Sequence, residues 1–142
     1  MKSIGRLDLL IVAGAAVLTV SCFARACSAG KFDGQYSTTL QCPSGTDGSR
    51  PWTYSTTASV RDGVLHLETT DAAQGTHMLD GTIAEDGKGS LRAHGTVGSS
   101  PYAIHRAPHG TPYAWPVTAD FNKGTGFWQN KWRRCDFTFV KQ

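Results

Sequence analysis

A run of seven residues near the C-terminus interleaves two indole rings with three cations: Trp128-Gln129-Asn130-Lys131-Trp132-Arg133-Arg134. Aromatic rings of this kind stack on bases, sugars or other flat molecules, while lysine and arginine neutralise phosphate or carboxylate groups. A structural role is the alternative, in which one Trp fills the end of the fold and the cations keep an exposed turn soluble. We take Trp128, Trp132 and Arg133 as candidate binding residues.

A second candidate site is the segment 98–112, which is rich in Pro, Gly and Ser and is longer than most connections between strands. Long ordered loops often carry function, and aromatic, histidine and arginine side chains in and beside this one suit a binding lip. A simple flexible loop is the alternative. The candidate residues are Tyr102, His105, Arg106, His109 and Tyr113.

The chain also has five histidines, which raises the question of a metal site. Their only short spacings are His66-x-Glu68 and His105-x₃-His109, and neither matches the paired Cys or His ligands of a zinc site. We therefore expect no metal, and we interpret the histidines as exposed polar positions on strand faces and loops. The sequence lacks a Gly-x-Gly-x-x-Gly loop and a Gly-x-Ser-x-Gly elbow, so we expect no cofactor and assign no catalytic residue.

Residues 1–29 have the three parts of a secretory signal: a basic start, the apolar run Leu9–Val20 and small residues around a cleavage point. The apolar run has 12 residues. A helix of that length rises about 18 Å, short of the roughly 30 Å hydrocarbon core, so we expect no stable membrane span. The sequence predicts export to the periplasm or the extracellular space, with 30–142 as one domain. Lipoprotein anchoring at Cys22 is a less favoured alternative.

The cysteine count helps to choose the cleavage point. Cleavage after Ala26 leaves Cys27 with Cys42 and Cys135, an odd number that strands one thiol in an oxidising compartment. Cleavage after Ala29 leaves the last two alone, and we favour it. Loss of residues 1–29 removes three of the 14 basic and one of the 11 acidic residues, which leaves 11 and 10. Because the domain is then nearly neutral, we expect no nucleic-acid partner.

Beyond residue 30, period-two alternation recurs in short runs, and no window carries apolar residues at the helical period of 3.6 residues. Asp62-Gly63, Asp86-Gly87 and Asn122-Lys123-Gly124 mark three tight hairpins between these runs. Gly81 falls inside a run, where it marks a bulge or a barrel corner. The predicted strands are 34–42, 52–61, 64–70, 77–84, 89–97, 113–121, 125–130 and 134–141.

The same alternation assigns an inward face to each strand. Cys42 shares the parity of Tyr36 and Leu40 in the first run, and Cys135 shares the parity of Phe137 in the last. A Cys42–Cys135 disulfide ties the first strand to the last, as a closed barrel requires. We therefore predict an all-β fold, a small antiparallel up-and-down barrel of about eight strands closed by one disulfide. Its large inward residues favour a filled interior, with a shallow cup at one end as the alternative. They include Trp52, Tyr54, Val60, Leu65, Leu67, Leu79, Ile83, Leu91, Val97, Trp115, Val117, Phe121 and Trp128.

Short segments spread over residues 30–142 carry a resemblance: Phe32-Asp33-Gly34-Gln35-Tyr36-Ser37, Asp62-Gly63-Val64-Leu65-His66, Leu79-Asp80-Gly81-Thr82-Ile83, Leu91-Arg92-Ala93-His94-Gly95, Gly110-Thr111-Pro112-Tyr113 and Cys135-Asp136-Phe137-Thr138-Phe139-Val140-Lys141. Together they resemble a largely uncharacterised family of small exported proteobacterial β proteins. The resemblance implies a secreted or periplasmic β domain and carries over no functional residue. Gly34-x-Tyr36 is also similar to the Gly-x-Trp opening of calycins, the lipocalin and avidin group, a likeness of architecture that assigns no activity.

These observations favour a monomeric, non-catalytic module that binds a small ligand or a protein partner. One alternative is an inhibitor of a periplasmic hydrolase such as a protease, which inserts the stretch 30–35 or the loop 98–112 into the enzyme's cleft. A second alternative is an enzyme, which requires an interior pocket that holds two or more convergent titratable groups.

Overall fold

The alternating segments of the sequence form eight strands in the computed structural model, which describes residues 30–71 and 75–142. No strand boundary differs from its predicted position by more than two residues. The signal peptide expected over 1–29, its two cleavage points and Cys22 lie outside the described residues. The strands are β1 Gly34–Cys42, β2 Trp52–Arg61, β3 Val64–Asp71, β4 Gly75–Ile83, β5 Lys88–Val97, β6 Pro112–Asp120, β7 Thr125–Gln129 and β8 Arg134–Lys141.

Each strand pairs antiparallel with the next along the chain, and β8 pairs with β1 to close the barrel. The predicted all-β, up-and-down barrel of eight strands is therefore confirmed. The last strand meets the first through register pairs such as Leu40 with Phe137, and this pairing closes the sheet. None of the helical segments in the described part of the chain is long and apolar enough to cross a bilayer.

Tight turns join the strands at one end of the barrel, which we call the short-turn end. At Asp62 and Gly63 the φ angles are 52° and 71°, the two positive values that a type I′ hairpin needs. The other connections here span 84–87 and 121–124, as the Asp-Gly and Asn-Lys-Gly signals predict. At the opposite end, which we call the long-loop end, the fully described connections are 43–51, 98–111 and 130–133. These longer loops contain most of the predicted site residues.

Gly81 marks a close approach of two strands and no bulge. It pairs with Leu65 on one side and Leu91 on the other without an extra residue in either strand. A β-carbon at this position would collide with the carbonyl oxygen of Ser90. Glycine is therefore required here because the backbone of β5 lies where a side chain would be.

Aromatic rings fill the half of the barrel nearest the short-turn end. Phe121 stacks on Phe139 at 4.8 Å and meets the edge of the Tyr36 ring at 5.5 Å. Phe139 in turn stacks on Phe137, and Phe32 closes this end against Phe121. The expectation of a filled interior is correct for this half. It is wrong for the other half, where the barrel encloses a cavity.

The disulfide lies at the long-loop end. Cys42 ends β1 and Cys135 is the second residue of β8, and their Cα atoms are 4.4 Å apart. Both residues are buried, as their parity predicts. The bond therefore fixes the seam between the first and last strands beside the cavity.

Candidate functional site

The long-loop end encloses a cavity of about 260 Å³ whose walls are largely apolar. Its deeper part is formed by inward side chains of the strands, among them Leu40, Ala93, Val97 and Phe137. Its mouth is formed by residues of the loops 98–111 and 130–133. All four tryptophans of the chain line it: Trp52, Trp115, Trp128 and Trp132.

One wall is a continuous group of rings from three strands. His77 of β4 stacks on Trp52 at 4.8 Å and on Tyr54 at 5.2 Å, with interplanar angles of 24° and 19°. Tyr113 of β6 extends the group, with its ring 5.6 Å from that of His77. Trp115 and Trp128 form a second stacked pair at 5.4 Å and 12°. Aromatic rings therefore make up much of the lining, which suits a flat apolar molecule.

The two tyrosines of this wall keep their protons at neutral pH. Burial raises the pKa of the Tyr54 hydroxyl far above its ordinary value. Burial also raises the pKa of Tyr113, and the neighbouring Tyr54 adds to that effect. The Tyr113 hydroxyl lies 3.1 Å from the carbonyl oxygen of Thr76 and also contacts Nδ1 of His77. Both hydroxyls are therefore neutral, and neither is activated as a base.

Arg133 ties the loops together beneath the mouth of the cavity. It is only 6% exposed, and it contacts the Ser49 hydroxyl and the carbonyl oxygens of Arg50 and Tyr102, the latter at 3.2 Å. Burial lowers the pKa of its guanidinium group, and the charge of nearby Asp47 acts in the opposite direction. The prediction that the cations of this run solubilise an exposed turn is therefore wrong for Arg133, because the loop 43–51 covers it.

The remaining cations of that run lie outside the cavity. The Lys131 ammonium group sits 4.9 Å from the Trp132 ring centroid. The Arg134 guanidinium group stacks on Phe127 at 3.8 Å and bonds to Asp136 at 2.8 Å. These two side chains are exposed and cover apolar rings, which is the structural role that the sequence left open.

The loop 98–111 folds over the mouth and contains two single 3₁₀ turns, Ser100–Tyr102 and Ile104–Arg106. Ile104 packs against the barrel core at the long-loop end. His105 meets the Trp132 ring edge-on, with centroids 3.9 Å apart. His105 and Arg106 both have positive φ, 54° and 51°, which is strained for residues with side chains. Because these contacts fix its position, the segment is a folded cover and does not have the form of a simple flexible loop.

The structure brings the two candidate segments of the sequence into one site. Six of the eight candidate binding residues line the same cavity: Tyr102, His105, Tyr113, Trp128, Trp132 and Arg133. Arg106 and His109 do not line it. Arg106 is exposed and its carbonyl oxygen accepts a hydrogen bond from Ser100, while Nδ1 of His109 lies 2.7 Å from the carbonyl oxygen of Gly98.

His77 is the main residue that sequence reasoning placed wrongly. It was expected as an exposed polar position, but only 7% of it is exposed and it lines the cavity. Its parity with Leu79, which predicts an inward side chain in β4, is the signal that identifies it. Ile104 was also missed, because no periodic pattern marks an inward residue in a loop.

The other strand histidines lie on the outer wall. Nδ1 of His66 and Nε2 of His94 bond to the two carboxylate oxygens of Asp80, at 2.6 and 2.8 Å. Across residues 30–71 and 75–142, no three His, Cys, Asp or Glu side chains are arranged to hold a metal ion.

The stretch 30–35, one of the two segments considered for insertion into an enzyme, is bound to the short-turn end. Phe32 is buried, and its carbonyl oxygen accepts a hydrogen bond of 2.7 Å from the Tyr36 hydroxyl. The Asp33 carboxylate accepts hydrogen bonds from the backbone N–H groups of Asp62 and Gly63. This geometry does not favour the inhibitor hypothesis for that segment.

Comparison with protein-family models, with curated protein sequences and with solved structures finds no match for this chain.

Proposed function

We propose that the protein is an exported, monomeric, non-catalytic binding module that holds one small, flat, largely apolar molecule in the cavity at the long-loop end. The observation that carries this proposal is the wall of stacked rings, because the nearly parallel rings of Trp52, Tyr54 and His77 line one largely apolar cavity. Sites for small molecules are typically concave and apolar, with a few polar groups that fix orientation. The cavity has this composition, with Tyr113 and Arg133 as polar groups.

An enzymatic role is the second candidate, because the cavity brings the titratable side chains of His77 and Tyr113 into contact. Two features favour binding over catalysis. The raised pKa of Tyr113 keeps its hydroxyl from acting as a base. The His77 ring packs against Trp52 and Tyr54, and its Nδ1 atom contacts the tyrosine hydroxyl. A catalytic base needs an accessible nitrogen within reach of its substrate.

Titration with a neutral fluorescent probe tests the proposal. N-phenyl-1-naphthylamine is aromatic, uncharged and bright only in apolar surroundings. We expect its emission to rise to saturation at one probe per chain, with a matching loss of tryptophan emission because all four indoles line the cavity. The probe should be recovered chemically unchanged. An emission change that does not saturate, or that leaves the tryptophan signal unaltered, contradicts binding in this cavity.

A pair of matched substitutions locates the probe. Ala93 is buried and lines the cavity, whereas Ala114 is exposed on the outer face of the adjacent strand. We expect Ala93→Phe to weaken probe binding by at least about tenfold, because the added ring occupies the space, and Ala114→Phe to leave it unchanged. If overpacking unfolds Ala93→Phe, Ala93→Leu fills less of the cavity and tests the same point. Equal affinities in folded variants would place the probe elsewhere.

A further inference from the structure

The lining of the cavity has a one-sided distribution of charge. Among the described residues that line it, there are one arginine and two histidines, and there is no Asp, Glu or Lys. Asp47 is the acidic residue whose charge acts on Arg133, but it is not part of the lining. Its carboxylate oxygens accept hydrogen bonds from the Ser49 hydroxyl and the His105 amide. The field inside the cavity therefore favours a negative group.

Arg133 is buried without a direct carboxylate partner among the described residues. Its three acceptors are two carbonyl oxygens and one hydroxyl, all of which are neutral. Its Nε atom is buried and has no hydrogen-bond partner in the described part of the chain. Burial of a cation is costly unless it is paired, and an oxyanion is the acceptor that a guanidinium group binds most strongly. The Asp47 charge acts on Arg133 from a distance, because the Ser49 hydroxyl lies between the two groups.

We infer that the ligand of this cavity is a small organic anion, with a flat apolar body against the aromatic wall and one carboxylate-like group at Arg133. This inference rests on the proposed function, because it specifies the chemistry of a ligand for the same site. The aromatic wall and the guanidinium group then bind two different parts of one ligand molecule. The body meets the rings of Trp52, Tyr54 and His77, and the head group meets the guanidinium group near the mouth.

Three probes that share a naphthalene ring and differ in charge test the inference on the unaltered protein. They are 2-naphthoate, 2-naphthamide and 2-naphthylmethylammonium, each used to displace N-phenyl-1-naphthylamine. We expect naphthoate to displace the neutral probe at a concentration about tenfold lower than naphthamide does, since hydrogen bonds with an ionised partner are roughly twice as strong as neutral ones. The ammonium compound should be the weakest of the three.

Substitution of the arginine then assigns the preference to one residue. In Arg133→Gln the ratio between naphthoate and naphthamide should fall to about one, while the affinity of the neutral amide changes little. Arg134→Gln is the matched control, because it removes the same charge at the next position, whose side chain lies outside on Phe127. The control should keep the ratio of the unaltered protein.

The outcomes separate this inference from the proposed function. If N-phenyl-1-naphthylamine does not bind, the proposed function is wrong. If it binds but naphthoate and naphthamide compete equally in the unaltered protein, the cavity is a site for neutral molecules and the anion inference is overturned. If folded Arg133→Gln binds naphthoate and naphthamide more weakly by the same factor, Arg133 only holds the loops in place. That result also overturns the anion inference. The comparison in the unaltered protein stands even if the variant does not fold.

Discussion

The Asp47 carboxylate accepts a hydrogen bond of 2.6 Å from the backbone N–H of His105. The two residues belong to different loops, 43–51 and 98–111, which meet only at the long-loop end. The bond fixes His105 in its left-handed conformation and so places its ring against Trp132 at the mouth of the cavity. A strained backbone persists only where neighbouring contacts hold it, and this carboxylate acts together with the bond from the Arg50 N–H to the carbonyl oxygen of Pro101.

Removal of this carboxylate should loosen the cover. We expect Asp47→Ala to raise the hydrogen-exchange rate of the His105 amide and to accelerate both entry and exit of N-phenyl-1-naphthylamine, with a smaller change in its affinity. Exchange measured by NMR and stopped-flow fluorescence check the two effects. Asp86→Ala is a suitable control, since Asp86 bonds to the N–H of Lys88 in a turn at the short-turn end. Unchanged rates in Asp47→Ala would show that other contacts hold the loop 98–111 over the cavity.

The same carboxylate predicts how the cover responds to pH. Burial acts to raise the pKa of Asp47, but hydrogen bonds from the Ser49 side chain and the His105 and Ser49 amides outweigh it and lower the pKa to about 2. Because the folded pKa is below the ordinary value, the stabilisation is complete above about pH 4 and is lost as the pH falls toward 2. Exchange of the His105 amide, corrected for its intrinsic pH dependence, should therefore be steady above pH 4 and rise below it.

The disulfide should account for a large part of the stability of the fold. It joins residues separated by 93 positions, and closure of a loop of that size is worth about 2–4 kcal/mol in typical proteins. We expect Cys42→Ser/Cys135→Ser to lower the Tm by on the order of 10 °C. Calorimetry of the unaltered protein with a reductant provides the control, because its Tm should fall to that of the variant. A variant that melts like the oxidised protein would contradict this role.

The sequence predicts the fold well because a barrel wall repeats one simple rule. Inward and outward residues alternate along each strand, so Leu65 and Leu67 are buried while His66 between them is exposed. Turn chemistry is equally local, since Asp62 and Gly63 have the positive φ angles that their residue types suggest. Alternation and turn residues can be recognised from a few consecutive residues. The parity of the two cysteines then predicts the disulfide that joins the first strand to the last.

The cavity could be predicted only in part, because its mouth depends on contacts between distant loops. No pattern in the sequence states that Asp47 bonds to the amide of His105, or that Ser49 covers the charge of Arg133. The two candidate segments were therefore recognised as separate sites. The size of the cavity was missed for a related reason, since large residues such as Trp52 and Trp115 stack along the wall and leave the centre of this half open.

A cluster on the outer wall predicts a second pH effect. Partial burial acts to raise the pKa of Asp80, but hydrogen bonds from His66 and His94 outweigh it and lower the pKa below its ordinary value. The carboxylate is 40% exposed, so screening by water reduces the gain from the two bonds to about 0.5–1 kcal/mol. Urea unfolding at pH 7 should show a loss of that size in Asp80→Asn. Asp136→Asn, which breaks one exposed bond to Arg134, should cost less.

The Asp80 effect has a defined sign with pH. The folded pKa is lowered, so the stabilisation is present above the ordinary value near 3.8 and disappears as the pH falls through the folded pKa. The difference in unfolding free energy between the unaltered protein and Asp80→Asn should therefore shrink below pH 4. A difference that stays constant down to pH 2 would mean that the carboxylate charge plays no part.

Asp33 fixes the N-terminal stretch to the short-turn end. Its carboxylate accepts hydrogen bonds from the amides of Gly63, Gly30 and Asp62, all within 3.0 Å, and these bonds lower its pKa. We expect Asp33→Ala to release Phe32 from Phe121, which calorimetry should detect as a lower Tm and NMR as faster exchange at Gly63. Since the folded pKa is lowered, the loss should be largest at neutral pH and fade below about pH 4. Probe binding at the opposite end should be unchanged, and a loss of binding in this variant would show that the two ends of the barrel are coupled.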